Sequence, residues 1–185
     1  MGSRRDSKPH PEAPVPADDA DLEVTFRGNF SHAIDDKGRV SLPVDFRKIL
    51  QSNAQASGAG IPQSQEQRVV VTNYISEGSR CLEGFSLRAW EQFERKLRQK
   101  SRFSSKLQRL ENFYLSRASE CVLDGSGRIL IPNHLRSYAG LEKEVTFTAS
   151  IHGFRLWDSR VWAVIFAEAE KALMDNPDLF SDIDL

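Results

Sequence analysis

The chain carries two copies of one pattern, and this repeat limits its fold more than any other feature. Ser31–Arg47 (SHAIDDKGRVSLPVDFR) aligns without a gap on Glu120–Arg136 (ECVLDGSGRILIPNHLR) at an offset of 89 residues. Asp35, Gly38, Arg39, Pro43 and Arg47 match Asp124, Gly127, Arg128, Pro132 and Arg136 by identity. Five further pairs are apolar in both copies: Ala33/Val122, Ile34/Leu123, Val40/Ile129, Leu42/Ile131 and Phe46/Leu135. Leu87-Arg88-Ala89-Trp90 then aligns with Ser159-Arg160-Val161-Trp162 at an offset of 72. Matches in register at a fixed spacing mark a tandem duplication of one supersecondary unit. The offset falls by 17 residues, the length of the Gln/Ser/Gly-rich segment Gln51–Gln67. That segment is therefore expected to be a long loop inserted into the first copy.

Each copy is expected to form strand, tight turn, strand, short helix, strand and helix. Apolar residues flank the Asp-x-x-Gly-Arg turn on both sides, which is a hairpin signal, and its glycine supplies a positive φ at little cost. Pro43 and Pro132 suit the first position of a short helix, where a missing N–H is harmless. The β-branched runs Arg68–Ile75 and Glu144–Ile151 predict strands. Ser86 and Asp158 are expected N-caps. Trp90, Phe93 and Leu97 mark one helical face, and Leu107, Leu110 and Tyr114 mark another over Ser104–Arg117.

The expected organisation is an acidic, Pro-rich disordered tail at 1–21, a first repeat at 24–79 with its inserted loop at 51–67, and a helical connection at 86–117. A second repeat at 118–161 follows, then a C-terminal helix and acidic tail at 162–185. The tail has almost no large apolar residues, so it cannot bury enough surface to offset its ordering entropy.

An apolar content of 39% and a charged content of 28% are those of a globular chain. No stretch reaches the ~18 apolar residues of a membrane span, and the N-terminus lacks the apolar core of a secretory signal. A cytoplasmic location is expected. The net charge of −1 conceals a division by segment. Residues 1–23 hold three bases and six acids, and residues 175–185 hold four acids and no base. The body between them keeps 22 bases against 16 acids, a sign that suits a phosphate backbone.

Catalytic constellations are missing. His10, His32, His134 and His152 lack zinc-ligand spacing, and there is no Walker loop, G-x-G-x-x-G or G-x-S-x-G. Cys121 reads as a buried strand cysteine. No catalytic residue, metal, cofactor or small-molecule ligand is expected. The repeated turn is the one constellation that recurs with its chemistry intact, and it supports two compatible readings. Asp35 and Asp124 can bond the N–H groups of their own turns, with Arg39 and Arg128 pairing back to them. The same arginines can present a guanidinium to phosphate or to a guanine edge, with Lys37 beside Arg39. Arg39, Lys37 and Arg128 are thus the candidate DNA-binding residues, and Asp35, Gly38, Asp124 and Gly127 the turn-orienting ones.

The segment Phe26-Arg27-Gly28, Asp35-Asp36-Lys37-Gly38-Arg39, Pro43 and Phe46-Arg47 resembles the first half of the MraZ transcriptional regulators. Ala118–Asp124, Gly127–Pro132, Leu135-Arg136, Tyr138–Leu141, Lys143–Val145 and Phe154–Trp157 resemble their second half. The resemblance covers about residues 24–165. It departs in the long acidic N-terminal tail, the loop at 51–67, and Gly125-Ser126 in the second turn. It implies an α+β fold, a hairpin-swapped β-barrel of SpoVT-AbrB (double-psi-like) type built from two tandem repeats with flanking helices. It further implies a ring-shaped homo-oligomer and a repressor of the division and cell-wall gene cluster, its own promoter included. The partner so implied is double-stranded promoter DNA with short direct repeats, contacted through Asp35/Arg39 and Asp124/Arg128. An antitoxin-like interaction protein of the same fold class is the alternative, and an enzyme on a related barrel ranks behind it.

Overall fold

Strand pairing across the two repeats organises the molecule. The structure is a computed structural model that describes residues 25–56, 68–100, 104–176 and 178. The expected tail at 1–21, most of the 51–67 segment and residues 179–185 lie outside the described residues. In the first repeat β1 (Asn29–Ala33) and β2 (Arg39–Ser41) lead into α1 (Val44–Ala56), β3 (Arg68–Ser76), β4 (Ser79–Ser86) and α2 (Leu87–Arg98). A connection of α3 (Ser105–Phe113) and a short 3-10 turn (Leu115–Arg117) follows. The second repeat runs β5 (Ser119–Val122), β6 (Arg128–Leu130), α4 (Asn133–Ala139), β7 (Glu144–Ser150), β8 (Gly153–Asp158) and α5 (Ser159–Asp175).

The fold is α+β, with an antiparallel six-stranded sheet in the order β1-β7-β8-β4-β3-β5 and a two-stranded ribbon of β2 and β6. Exchanging each strand for its repeat equivalent reverses the sheet order and leaves it unchanged, so the sheet has an internal pseudo-two-fold. At its centre Glu83 faces Arg155, its own equivalent at an offset of 72. The edge strands come from the opposite repeat: β1 pairs with β7, and β5 pairs with β3. Among the described residues, this sheet and ribbon are not joined into one continuous closed barrel by the strand ladders.

Several sequence expectations change. Each copy has a fourth strand, β4 or β8, so the first repeat continues past residue 79 to Ser86, and the C-terminal helix starts at Ser159 rather than 162. Gln51–Ala56 is the end of α1, not loop. The drop of 17 in offset also has two sources. Val69 and Val145 occupy equivalent places, opposite Ser86 and Asp158, at an offset of 76. Thirteen of the 17 residues therefore lie ahead of β3, six of them lengthening α1, and four lengthen the β3–β4 hairpin by two residues on each strand. The prolines precede their helices by one position: Arg47 and Arg136 N–H groups donate to the Pro43 and Pro132 carbonyls. A single-position difference at a helix end is within ordinary fraying.

The expected caps form, with Ser86 Oγ accepting from Ala89 N–H at 3.1 Å and Asp158 Oδ1 from Arg160 N–H at 3.1 Å. The main core joins both repeats. Val40, Leu42 and Phe46 are buried together with Ile129, Ile131 and Leu135, and Phe46 meets Phe26, Phe30 and Phe147 edge-on. Truncating such a buried phenylalanine typically costs ~3–5 kcal/mol. A second cluster of Val70, Phe85, Trp90 and Tyr114 seats α2 and the 3-10 connection on the sheet. Cys81 and Cys121 are free and buried, and desolvation pushes both thiols up to about 12. The expected structural role of Cys121 matches this inert setting.

Candidate nucleic-acid interface

The two Asp-x-x-Gly-Arg turns share one hydrogen-bond design. In the first, Gly38 N–H donates to the Asp35 carbonyl at 2.8 Å, and Asp35 N–H donates to the Arg39 carbonyl at 3.0 Å. Asp35 Oδ1 accepts from Lys37 N–H at 3.0 Å and Arg39 N–H at 2.8 Å, while Oδ2 accepts from Arg39 Nε at 2.7 Å. In the second, Gly127 N–H donates to the Asp124 carbonyl and Asp124 N–H to the Arg128 carbonyl, both at 2.8 Å. Asp124 Oδ1 accepts from Ser126 N–H at 2.8 Å and Arg128 N–H at 3.0 Å, and Oδ2 from Arg128 Nε at 2.9 Å. Gly38 and Gly127 adopt φ of 85° and 73°, a region that L side chains rarely enter.

These bonds favour the charged carboxylates. The Arg39 backbone N–H is the largest cause holding Asp35 below its ordinary pKa, and the Arg128 N–H does the same for Asp124. The ion pairs themselves are more than a third exposed, so they contribute little stability. Their consequence is direction. With Nε tied to the carboxylate, the two terminal nitrogens of each guanidinium have no partner among the described residues and form an open fork.

The ribbon places both forks on one face. Arg39 stands opposite Leu130 and Arg128 opposite Ser41, while Val40 and Ile129 between them are buried. Alternation along a strand therefore puts Arg39 and Arg128 on the same outer face, in diagonal positions. Lys37 lies exposed at the tip of the first turn, where the second has Ser126. The structure thus brings Arg39, Lys37 and Arg128 to one ribbon, and Asp35, Gly38, Asp124 and Gly127 shape the turns that carry them.

Two further arginines meet these turns and were not singled out by the sequence. Arg47 lies against Gly127 and Arg136 against Gly38, each reaching from its own helix to the turn of the other repeat. Their identity in the two copies was the available signal; what sequence alone lacked was the crossing. Among the described residues, no group of three or more His, Cys, Asp or Glu is arranged to hold a metal ion, and no helix is long and apolar enough to cross a membrane.

Duplication, antiparallel sheet and paired Asp–Arg turns define a tandem α+β protein with both arginines on the β2–β6 ribbon. The chain belongs to the MraZ family. The family model, described as "MraZ protein, putative antitoxin-like", matches residues 25–113 and again residues 114–179, one match for each repeat. The chain is 36% identical over 137 residues to the "Transcriptional regulator MraZ" of Yersinia enterocolitica, covering 74% of this chain and 82% of that protein. It is 33% identical to the protein of the same name from Pseudomonas syringae pv. tomato, covering 85% of this chain and 95% of that one. The Natranaerobius thermophilus protein of that name is 31% identical, with 86% of this chain and 99% of its own length covered.

Proposed function

We propose that this chain is a DNA-binding transcriptional regulator, cytoplasmic and acting on the nucleoid, that contacts promoter DNA through its two Asp-x-x-Gly-Arg turns. One observation carries the reading: two guanidiniums, each fixed at Nε by an aspartate, present open forks on one face of the β2–β6 ribbon. A fork aimed in this way suits bidentate contact with a guanine edge or a phosphate. The names of the relatives agree with it. Within this reading the protein is a repressor of the division and cell-wall gene cluster and of its own promoter, binding short direct repeats as a ring-shaped homo-oligomer. Repeated turns on repeated subunits match repeated DNA sites by symmetry.

The hairpin-swapped barrel belongs to the same reading. An Ile34–Val40 bridge links the end of β1 to β2, and the Asp124–Arg128 bond links β5 to β6. These contacts support a ribbon that completes a SpoVT-AbrB-type barrel from hairpins contributed by both repeats. Titration of the full chain against the DNA upstream of its own operon, with scrambled DNA as the control, tests the function. Sequence-specific binding is expected; equal affinity for both DNAs, or none, refutes it.

A further inference from the structure

We propose that Arg47 and Arg136 are crosswise positioning residues: Arg136 of the second repeat holds the Asp35–Arg39 turn, and Arg47 of the first holds the Asp124–Arg128 turn. Their role in DNA binding rests on the reading above; their role in the turns does not.

The geometry is reciprocal. A Cβ placed on Gly38 would lie 2.5 Å from Arg136 Nε and 2.7 Å from its Cζ. A Cβ placed on Gly127 would lie 2.7 Å from Arg47 Cζ. Each guanidinium thus occupies the side of the glycine where any other residue would carry its side chain. The backbone repeats the crossing, since the Gly38 carbonyl accepts from Ile131 N–H at 2.9 Å and the Gly127 carbonyl from Leu42 N–H at 3.0 Å. Both turns are therefore pinned from the opposite repeat by one N–H and one planar cation, at the glycine whose own N–H bonds the aspartate carbonyl.

The two clamps differ in their anchoring. Arg136 Nε donates to the Ile131 carbonyl at 3.2 Å, so Arg136, Ile131 and Gly38 form one linked unit. Arg47 Nε is buried without a hydrogen-bond partner among the described residues. A buried donor left unpaired weakens the clamp it belongs to, so Arg136 should govern its turn more strongly than Arg47. The better-held turn is the one that carries both Lys37 and Arg39.

Amide hydrogen exchange on the full-length protein, without DNA, tests the crossing directly. Arg136→Ala should speed exchange at Gly38 and Arg39 at least tenfold and leave Gly127 and Arg128 unchanged. Arg47→Ala should show the reverse pattern, with a smaller increase. Arg136→Lys keeps the charge but not the plane; it should reproduce the Arg136→Ala pattern, and it serves if the alanine variant fails to fold. Acceleration at both turns, at neither, or in the same repeat as the substitution would overturn the proposal. On promoter DNA, Arg136→Ala should lower specific affinity about tenfold with the salt slope unchanged. A slope smaller by about one unit would make Arg136 a direct phosphate contact instead and would equally overturn it. If the wild-type chain binds no promoter DNA specifically, the regulator reading fails while the exchange pattern still decides the clamp.

Discussion

The first and second turns differ by no more than 0.2 Å in each corresponding hydrogen-bond length, yet their tips carry different residues: an added acid and base in the first, uncharged residues in the second. Asp36-Lys37 in the first is replaced by Gly125-Ser126 in the second. The aspartate, glycine and arginine that set the shape are kept, and the two residues between them vary. Shape and tip chemistry are therefore separable here: a scaffold that fixes where a guanidinium points leaves the tip of the turn free to differ. The helices after each sheet half teach a similar lesson. Trp90 of α2 is buried with Tyr114 from the connection, whereas the α5 helix leaves Val164, Phe166 and Met174 exposed.

The most severe way to break the comparison is to separate the halves. Residues 22–100 alone lose β7 beside β1 and β5 beside β3, together with the second-repeat side of the shared core. Circular dichroism and sedimentation should find this fragment unfolded or self-associated; a cooperatively folded monomer would show that the exchanged strands are dispensable. Next in size, Arg39→Ala should abolish specific operator binding, a loss of ~1–3 kcal/mol of discrimination, with the melting temperature and oligomer intact. Arg128→Ala should cost less, and equal losses in a promoter titration would erase the asymmetry. Smaller again, Lys37→Ala should weaken binding to all sequences alike and reduce the salt slope by about one unit. Ser126→Ala, at the matching position, should leave that slope where it is.

The smallest expected effect concerns the paired equivalents Glu83 and Arg155 at the pseudo-two-fold. Burial is the main cause raising the Glu83 pKa above its ordinary value, against the opposing hydrogen bond from the Tyr114 hydroxyl. A carboxyl that holds its proton more tightly when folded loses stability as pH rises from its ordinary value of 4.5 through the raised one. Urea unfolding midpoints should fall over that window in the wild type and change less in Glu83→Gln. Asp35 and Asp124 act with the opposite sign. Their contribution is present above the unfolded carboxylate value and is lost as pH falls through the depressed one.

Local signals carried the turns, caps and duplication into view. Asp-x-x-Gly-Arg encodes its own hydrogen bonds within five residues, and Ser86 and Asp158 sit directly before helical patterns, so both were legible. β4 and β8 were not, because Ser79–Ser86 mixes Arg80, Glu83 and Gly84 with apolar residues and lacks a β-branched run. Their strand character comes from pairing on both sides, with β3 or β7 in a hairpin and with each other at the sheet centre, a tertiary cause. The end of α1 was hidden for a related reason, since Gln51–Ala56 has polar and small residues that fit loop and helix alike. The crossing of Arg47 and Arg136 depends on which hairpin meets which, and residue pattern within one copy holds no record of it.

The exchange of edge strands has a further effect on concentration. Two separate copies of such a unit would have to find each other in solution, and both would carry the same turn. On one polypeptide the encounter becomes intramolecular, at an effective concentration that for short flexible connections is on the order of millimolar. Dilution then no longer separates the halves. Identity between the two turns ceases to be obligatory as well, which is the condition under which Lys37 and Ser126 can occupy matching places in a single molecule.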